Sequence, residues 1–281
     1  MQNDKQKPTF AVIGLGFIAD RHIASIAQVG GELVMACDID ADKEHKANGA
    51  AFFTNWEDMY KTPFFQEGVD YVVICTPNYL HSAMATVAAG LGKTVLVEKP
   101  LALELKDVFA MRRHFPENIF NVVQLRDHPD IKKLHRKRKH LTEAEFIVDI
   151  HRGDWYFDTW KGNDAESGGL LFNIGVHYFD LLIHFFGKPT GHKLFYSMPK
   201  KAEGEVHFKN ANAKWKLSID ASQDNQRRSF MVNGQTINLT NHIETLHVEV
   251  YKKLLAGKGV PISEVVPVIK LISSLTNERR H

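Results

Sequence analysis

Two short segments of this 281-residue chain carry side chains suited to proton transfer: Glu98-Lys99-Pro100, at the end of an apolar run, and the apolar stretch holding Asn173, His177 and Asp180. The second set is spaced by four and three residues, which places all three on one face if a helix has begun by Asn173. A polar stripe on an apolar helix needs partners. Satisfied core polar groups are one reading, and a binding cleft between two domains is the other. An ordinary surface turn is the plain alternative for Lys99.

A third segment narrows the choice. Gly14-Leu15-Gly16-Phe17-Ile18-Ala19 follows the first predicted strand and opens the first predicted helix. Gly14 permits the tight turn, Gly16 lets backbone approach a pyrophosphate, Ala19 allows close helix packing, and the helix N-terminus faces the phosphates. The next strand ends in Asp38, the acidic position expected to meet a ribose 2′-hydroxyl and repel a 2′-phosphate, so NAD is preferred to NADP. A helix N-cap is the alternative reading of Asp38, a role its neighbour Asp40 can fill. The strands ending in Thr76-Pro77-Asn78-Tyr79-Leu80-His81 and in Glu98-Lys99-Pro100 bring their carboxyl ends to the same edge, where open α/β sheets place ligands. Beside a cationic nicotinamide the ammonium form of Lys99 is disfavoured, which suits a general base.

The elements that must hold these groups alternate regularly from Thr9 to about Arg126. The strands TFAVIG, ELVMACD, AFF, YVVICT, TVLVE and IFNVVQL interleave with helices over 17–29, 41–48, 56–66, 80–89 and 104–114. Such alternation predicts an α/β Rossmann domain with a parallel sheet, assigned to residues 1–125. Residues 126–281 are assigned to an α+β substrate-binding and oligomerisation domain with a mainly antiparallel sheet. There AEFIVDIHR, HKLFYSM, GEVHFKN, AKWKLSID and RRSFMVNG read as strands around one long helix at about 174–186.

Composition excludes several classes. Thirty-five basic and 33 acidic residues leave a net +2, too balanced for a protein built around nucleic acid. The basic run from Lys132 to His140 has no interleaved aromatic and reads as a solvated helix face. Cys37 and Cys75 lie in apolar runs without metal-ligand spacing, as expected of buried thiols in a reducing compartment. No signal peptide is evident in MQNDKQKPTF, and polar residues interrupt the apolar stretch 168–187, so a cytoplasmic protein without a membrane segment is expected. No metal is expected, because Lys99 and His177 can polarise a substrate and the spacing shows no cluster of ligands.

GLGFIA, CTPNYLH, EKP and GGLLFNIGVHYFD, in this order over nearly the whole chain, resemble the Gfo/Idh/MocA oxidoreductases, which act on sugars and polyols with NAD(P). QLRDHP at 124–129, HRGDWYFDTWKG at 151–162 and SGGLLFNIGVHYFDLL at 167–182 are similar to the WlbA/WbpB branch. That resemblance implies oxidation of the 3-hydroxyl of UDP-N-acetylglucosaminuronic acid for surface polysaccharide, with 2-oxoglutarate as the hydride acceptor in some members and a homodimer or homotetramer. It implies catalytic roles for Lys99 and His177. It also implies cofactor contacts from Gly14, Gly16, Phe17, Ile18, Asp38, Thr76, Pro77, Asn78, His81, Glu98 and Lys99. Asn173 stands where many members carry Asp; an amide takes no proton, which throws the chemistry onto Lys99 and His177. Arg126, Arg152, Tyr156, Trp160 and Lys161 lie beside these motifs, where contact with an anionic sugar nucleotide is expected alongside Lys99, Asn173 and His177. The alternatives are another sugar or polyol as substrate, or a non-catalytic NAD-binding regulator.

Overall fold

Six short runs bounded by turn residues pair as parallel strands: β1 (Thr9–Ile13), β2 (Glu32–Cys37), β3 (Ala51–Phe53), β4 (Tyr71–Ile74), β5 (Thr94–Val97) and β6 (Ile119–Asn121). Their spatial order in the computed structural model, which describes residues 7–278, is β3-β2-β1-β4-β5-β6. The direction of winding reverses between β1 and β4, which opens a crevice at their carboxyl ends. Met1–Gln6, on which most of the leader expectation falls, lies outside the described residues.

Both faces of this sheet are covered, and β1 shows how. Phe10 and Val12 join a cluster with Ala19 and Ile26 of α1 (Ala19–Gln28), whereas Ala11 and Ile13 join the opposite cluster. That second cluster takes Met84, Ala85 and Ala88 from α2 (His81–Gly90), and Val108 and Met111 from α3 (Leu105–His114).

The second half builds a mixed sheet from β7 (Glu143–Asp149), β8 (Pro189–Ser197), β9 (Lys201–Phe208), β10 (Ala211–Ser218), β11 (Arg227–Val232) and β12 (Gln235–Ile237), ordered β12-β11-β7-β10-β9-β8. It is antiparallel except where β10 runs parallel to β7. Alternating side chains send Phe146 and Trp215 inward, where Phe179 of α4 (Val176–Phe186) meets them with ring centroids 5.4 and 5.2 Å away. Gly175, just before α4, lets the helix lie this close. A Cβ there would stand 2.8 Å from the Phe179 ring and 2.9 Å from Leu217. The continuous helical run Asp164–Phe186 is long and apolar enough to cross a membrane, but most of it is buried in the protein, as expected of a core helix.

Several elements depart from the pattern read in the sequence. The helix expected over 56–66 is two, Trp56–Lys61 and Pro63–Gly68, because Thr62 precedes a proline and is extended at φ −69° and ψ 141°. Residues 41–47 form a 3₁₀ helix, and β6 stops at Asn121. Ahead of α4, Leu171–Gly175 winds as a π-helical turn. The chain then ends in α5 (Ile243–Leu255) and α6 (Ile262–Glu278), neither of which was read from the sequence. Helix α5 returns to the first sheet, where Val250, Tyr251 and Leu254 complete the cluster around Phe10 and Val12.

Arg126 ties these parts together. Its Nε and Nη2 donate to Asp180 Oδ2 and Oδ1 of α4 at 2.8 and 2.7 Å, and Nη1 donates to Glu264 of α6 at 2.5 Å. The side chain is 6% exposed, so removing it strands a buried carboxylate. Arg126→Met is expected to destabilise the protein by about 3–5 kcal/mol in urea unfolding; a change below ~1 kcal/mol contradicts this structural role.

Candidate functional site

The glycine turn meets the requirements for holding a dinucleotide. Gly14 has φ +87°, and a Cβ there would lie 2.8 Å from the Cys75 carbonyl and the Thr76 nitrogen, so the end of β4 demands glycine. Its N–H donates to the Cys37 carbonyl at 2.8 Å. A Cβ on Gly16, by contrast, meets nothing within 4 Å, leaving the backbone open to a phosphate at the start of α1. Phe17 and Ile39 are 79% and 91% exposed on either side of the turn, apolar surface that a flat ring can cover. Ile18 precedes α1 directly.

Asp38, at the end of β2, also makes bonds within the protein. It is buried, with Oδ2 accepting from Leu15 N–H at 2.6 Å and Oδ1 from Asp40 N–H at 3.0 Å, while Lys43 Nζ lies 3.1 and 3.2 Å from the two oxygens. Its carboxylate therefore fixes the glycine turn. Asp40 caps the following helix by accepting from Asp42 N–H, as the sequence allowed.

At the end of β5, Lys99 reaches across to the second half. Its Nζ donates to the Asn173 carbonyl at 3.2 Å, within the π-helical turn, a departure from regular winding that recurs at functional sites. Lys99, His177 and Asp180 line one small cavity with Val123, Leu125 and Val176. Desolvation lowers the pKa of Lys99, as do the cations Lys161 and Arg152, while Glu98 pulls the other way. His177 is pushed down to about 3 by burial first and by Lys99 second, so it is a neutral imidazole at physiological pH. The Asn173 amide does not face the same partners: its Nδ2 donates to the Tyr156 hydroxyl at 2.7 Å.

Arg152 and Lys161 lie on the loop between β7 and α4, with Arg152 5.9 Å from the Tyr156 ring centroid and Lys161 5.3 Å from that of Trp155 and 6.0 Å from that of Trp160. Neither makes an ion pair among the described residues. Arg228 of β11, which sequence reasoning missed, is close enough to lower the pKa of Arg152 after desolvation has done so. It reaches the loop because β11 pairs with β7, a register no local pattern reveals. Arg126, expected among the anion readers, is corrected: its guanidinium is committed to Asp180 and Glu264, which hold its pKa up.

Other residues expected at the cofactor also hold the frame. The His81 ring lies between the carbonyls of Pro100, 2.7 Å from Nδ1, and Thr76, 2.9 Å from Nε2, and so ties the ends of β4 and β5. Asn78 donates across the cleft to the Ser167 carbonyl at 2.7 Å. The Glu98 carboxylate is buried against α1 and α5. His22 Nε2 stands 3.0 Å from Oε1 and His247 Nε2 stands 3.6 Å from the same atom, while Oε2 accepts from Lys99 N–H at 3.1 Å. His22, Glu98 and His247 offer ligand atoms within 4.8 Å of one another, a grouping that positions 22, 98 and 247 do not disclose in sequence.

Residues 9–122 match the oxidoreductase family Gfo/Idh/MocA, NAD-binding Rossmann fold, and residues 140–245 match its C-terminal alpha/beta domain. The chain belongs to this family. It is an NAD-binding oxidoreductase, and the open backbone at Gly16 fits that cofactor. The WlbA (WbpB) dehydrogenase of Thermus thermophilus, solved with NAD and UDP-GlcNAcA, is 32% identical, with a TM-score of 0.87 over 95% of this chain and 94% of that one. A second structure of the Thermus enzyme holds NAD and alpha-ketoglutarate. Among curated relatives, scyllo-inositol 2-dehydrogenase (NADP(+)) IolU of Bacillus subtilis is 27% identical over 216 residues, 70% of this chain and 64% of its own length. D-apiose dehydrogenase of Paraburkholderia graminis is 33% identical over 105 residues, 36% of this chain and 27% of its own. The matches thus span less than two thirds of these two curated relatives.

The two glycines of this family turn separate stability from binding. Gly16→Ala is expected to leave the melting temperature within about 2 °C of wild type and to weaken NAD at least tenfold by calorimetry, because its methyl intrudes only where the phosphate sits. Gly14→Ala is expected to lower the melting temperature by several degrees, since its methyl meets backbone at a positive φ. Equal melting temperatures for the two variants contradict this division.

Proposed function

We propose that the chain is an NAD-dependent dehydrogenase of UDP-N-acetylglucosaminuronic acid, oxidising the sugar 3-hydroxyl to the 3-keto product. The observation that carries this reading is the clustering of Lys99 and His177 around one narrow crevice, with Arg152 and Lys161, which make no ion pair among the described residues, near enough to act on Lys99. NAD, when bound, supplies the acceptor for the C3 hydride. The protein's share is the hydroxyl proton, which passes to the Lys99 amine, its pKa lowered by desolvation, while neutral His177 orients the hydroxyl. Arg152, Lys161 and Arg228 meet the two anionic regions of the substrate, the diphosphate and the uronate carboxylate. Tyr156 and Trp160 wall the same loop, and Asn173 contributes its carbonyl to Lys99 and its amide to Tyr156.

The Thermus enzyme bound to UDP-GlcNAcA supports this substrate, and its complex with alpha-ketoglutarate supports 2-oxoglutarate as the acceptor that regenerates NAD. A role in surface-polysaccharide synthesis in the cytoplasm accords with this chemistry and with the two buried free thiols. The outer face of the second sheet sets Lys214 opposite Glu205 and Lys216 opposite Glu203 across β10 and β9, with both lysines exposed, which suits a homodimer or tetramer formed through that face. The likeness to IolU favours a second reading, oxidation of a free polyol.

UDP-N-acetylglucosamine lacks the carboxylate, so its kcat/KM is expected to be about ten- to a hundred-fold lower than that of the uronate. Parity, or turnover of scyllo-inositol alone, refutes the uronate assignment. Lys99→Met is expected to cut single-turnover NADH formation by at least ~10² while retaining NAD affinity. A variant with near wild-type turnover removes Lys99 as the base.

A further inference from the structure

Beneath the cavity lies a second, wholly buried set of ionisable groups that the proposed reaction does not use. His22, Tyr251 and His247 are each 0% exposed and Glu98 is 5% exposed. Tyr251 Oη lies 2.9 Å from His22 Nδ1, and His22 Nε2 lies 3.0 Å from Glu98 Oε1. One proton arrangement satisfies all three: Tyr251 O–H donates to Nδ1, and neutral His22 donates from Nε2 to an ionised Glu98. Desolvation pushes the Glu98 carboxyl up, but the flanking imidazoles outweigh it and hold it well below the usual carboxylate range. His247 lacks a hydrogen-bond partner at either ring nitrogen, although its Nε2 stands 3.6 Å from Glu98 Oε1. An imidazole is thus kept in the core with the Glu98 carboxylate before it and no other polar partner.

The groups acting on Lys99 come from every side. Arg152 and Lys161 approach from the loop after β7, His177 and Asp180 from α4, and His81 from α2. Asp180 is held in a two-pronged bond by Arg126, whose third nitrogen binds Glu264. Glu98 is the carboxylate that favours the charged amine, and it also holds the Lys99 main-chain N–H. Cys75, buried beside Glu98, is a thiol raised far from ionisation by burial and carries no competing charge.

We infer that Glu98 is the positioning residue of Lys99, and that His247, delivered by α5 from the far end of the chain, clamps Glu98 in place. The carboxylate holds the Lys99 main-chain N–H and is the anion that acts on Lys99 against Lys161 and Arg152, so the amine can hold the proton it takes from substrate. This rests on the reading of Lys99 as the proton acceptor, but it concerns groups that need no sugar nucleotide to be measured.

The test follows labelling of Lys99 by acetic anhydride as a function of pH in the full-length protein, read by peptide mass spectrometry, in wild type, Glu98→Gln, His247→Leu and His247→Gln. Glu98→Gln is expected to move the Lys99 midpoint to lower pH by about one unit, the direction set by loss of a neighbouring anion. His247→Leu is expected to move it the same way by less and to lower kcat at least tenfold with KM within twofold. His247→Gln, which retains a donor toward Glu98, is expected to restore most of both. A Lys99 profile that coincides with wild type in every folded variant overturns the inference. So does one equivalent of zinc in the purified protein, because His22, Glu98 and His247 would then be its ligands. Failure of UDP-N-acetylglucosaminuronate to turn over, with the labelling shifts intact, overturns the substrate reading and leaves the positioning role standing.

Discussion

An amine buried where the two halves meet is poorly solvated in its charged form, and the rest of the site answers to that constraint. Arg152 and Lys161, the cations proposed to meet an anionic substrate, each add to the difficulty of protonating Lys99. The Asn173 carbonyl and the Glu98 carboxylate act in the opposite direction, from different halves of the chain. The amine therefore sits between a positive rim and a negative floor. Moving either sheet by an ångström would alter that balance, which gives the Arg126 bonds to α4 and α6 a bearing on chemistry they never touch.

The first sheet was legible because its signals are local: β-rich runs alternate with helical stretches, and the turn between β1 and α1 needs glycine for reasons visible in six residues. Lys99 and His177 were legible as a pair for the same reason, each lying in a short, distinctive segment. What escaped notice depends on contacts between distant residues. Arg126 reads as a free cation until Asp180 and Glu264, at separations of 54 and 138 residues, are seen to enclose it. Arg228 looks like a surface strand residue until β11 pairs with β7. Asp38 was legible as the acidic end of β2, but its bond from the Leu15 N–H of the glycine turn is one that sequence spacing cannot show.

Charge in this protein thus divides into two uses. Asp38 and Glu98 each accept from the protein's own backbone, Asp38 from Leu15 N–H and Glu98 from Lys99 N–H. Arg152 and Lys161, which make no ion pair among the described residues, gather on one irregular loop packed with aromatic rings, which stiffen long side chains that would otherwise lose much entropy on meeting an anion.

Helix α5 adds a constraint in time. The face of the first sheet that carries Phe10, Val12 and Val73 is closed by residues 250–254, so the nucleotide-binding half leaves the ribosome with part of its apolar layer bare. That surface stays uncovered until more than a hundred further residues have been synthesised, past the entire second sheet. Completion of the binding half is thereby tied to completion of the other, and a nascent chain stalled between them presents an adhesive patch that chaperones are suited to guard.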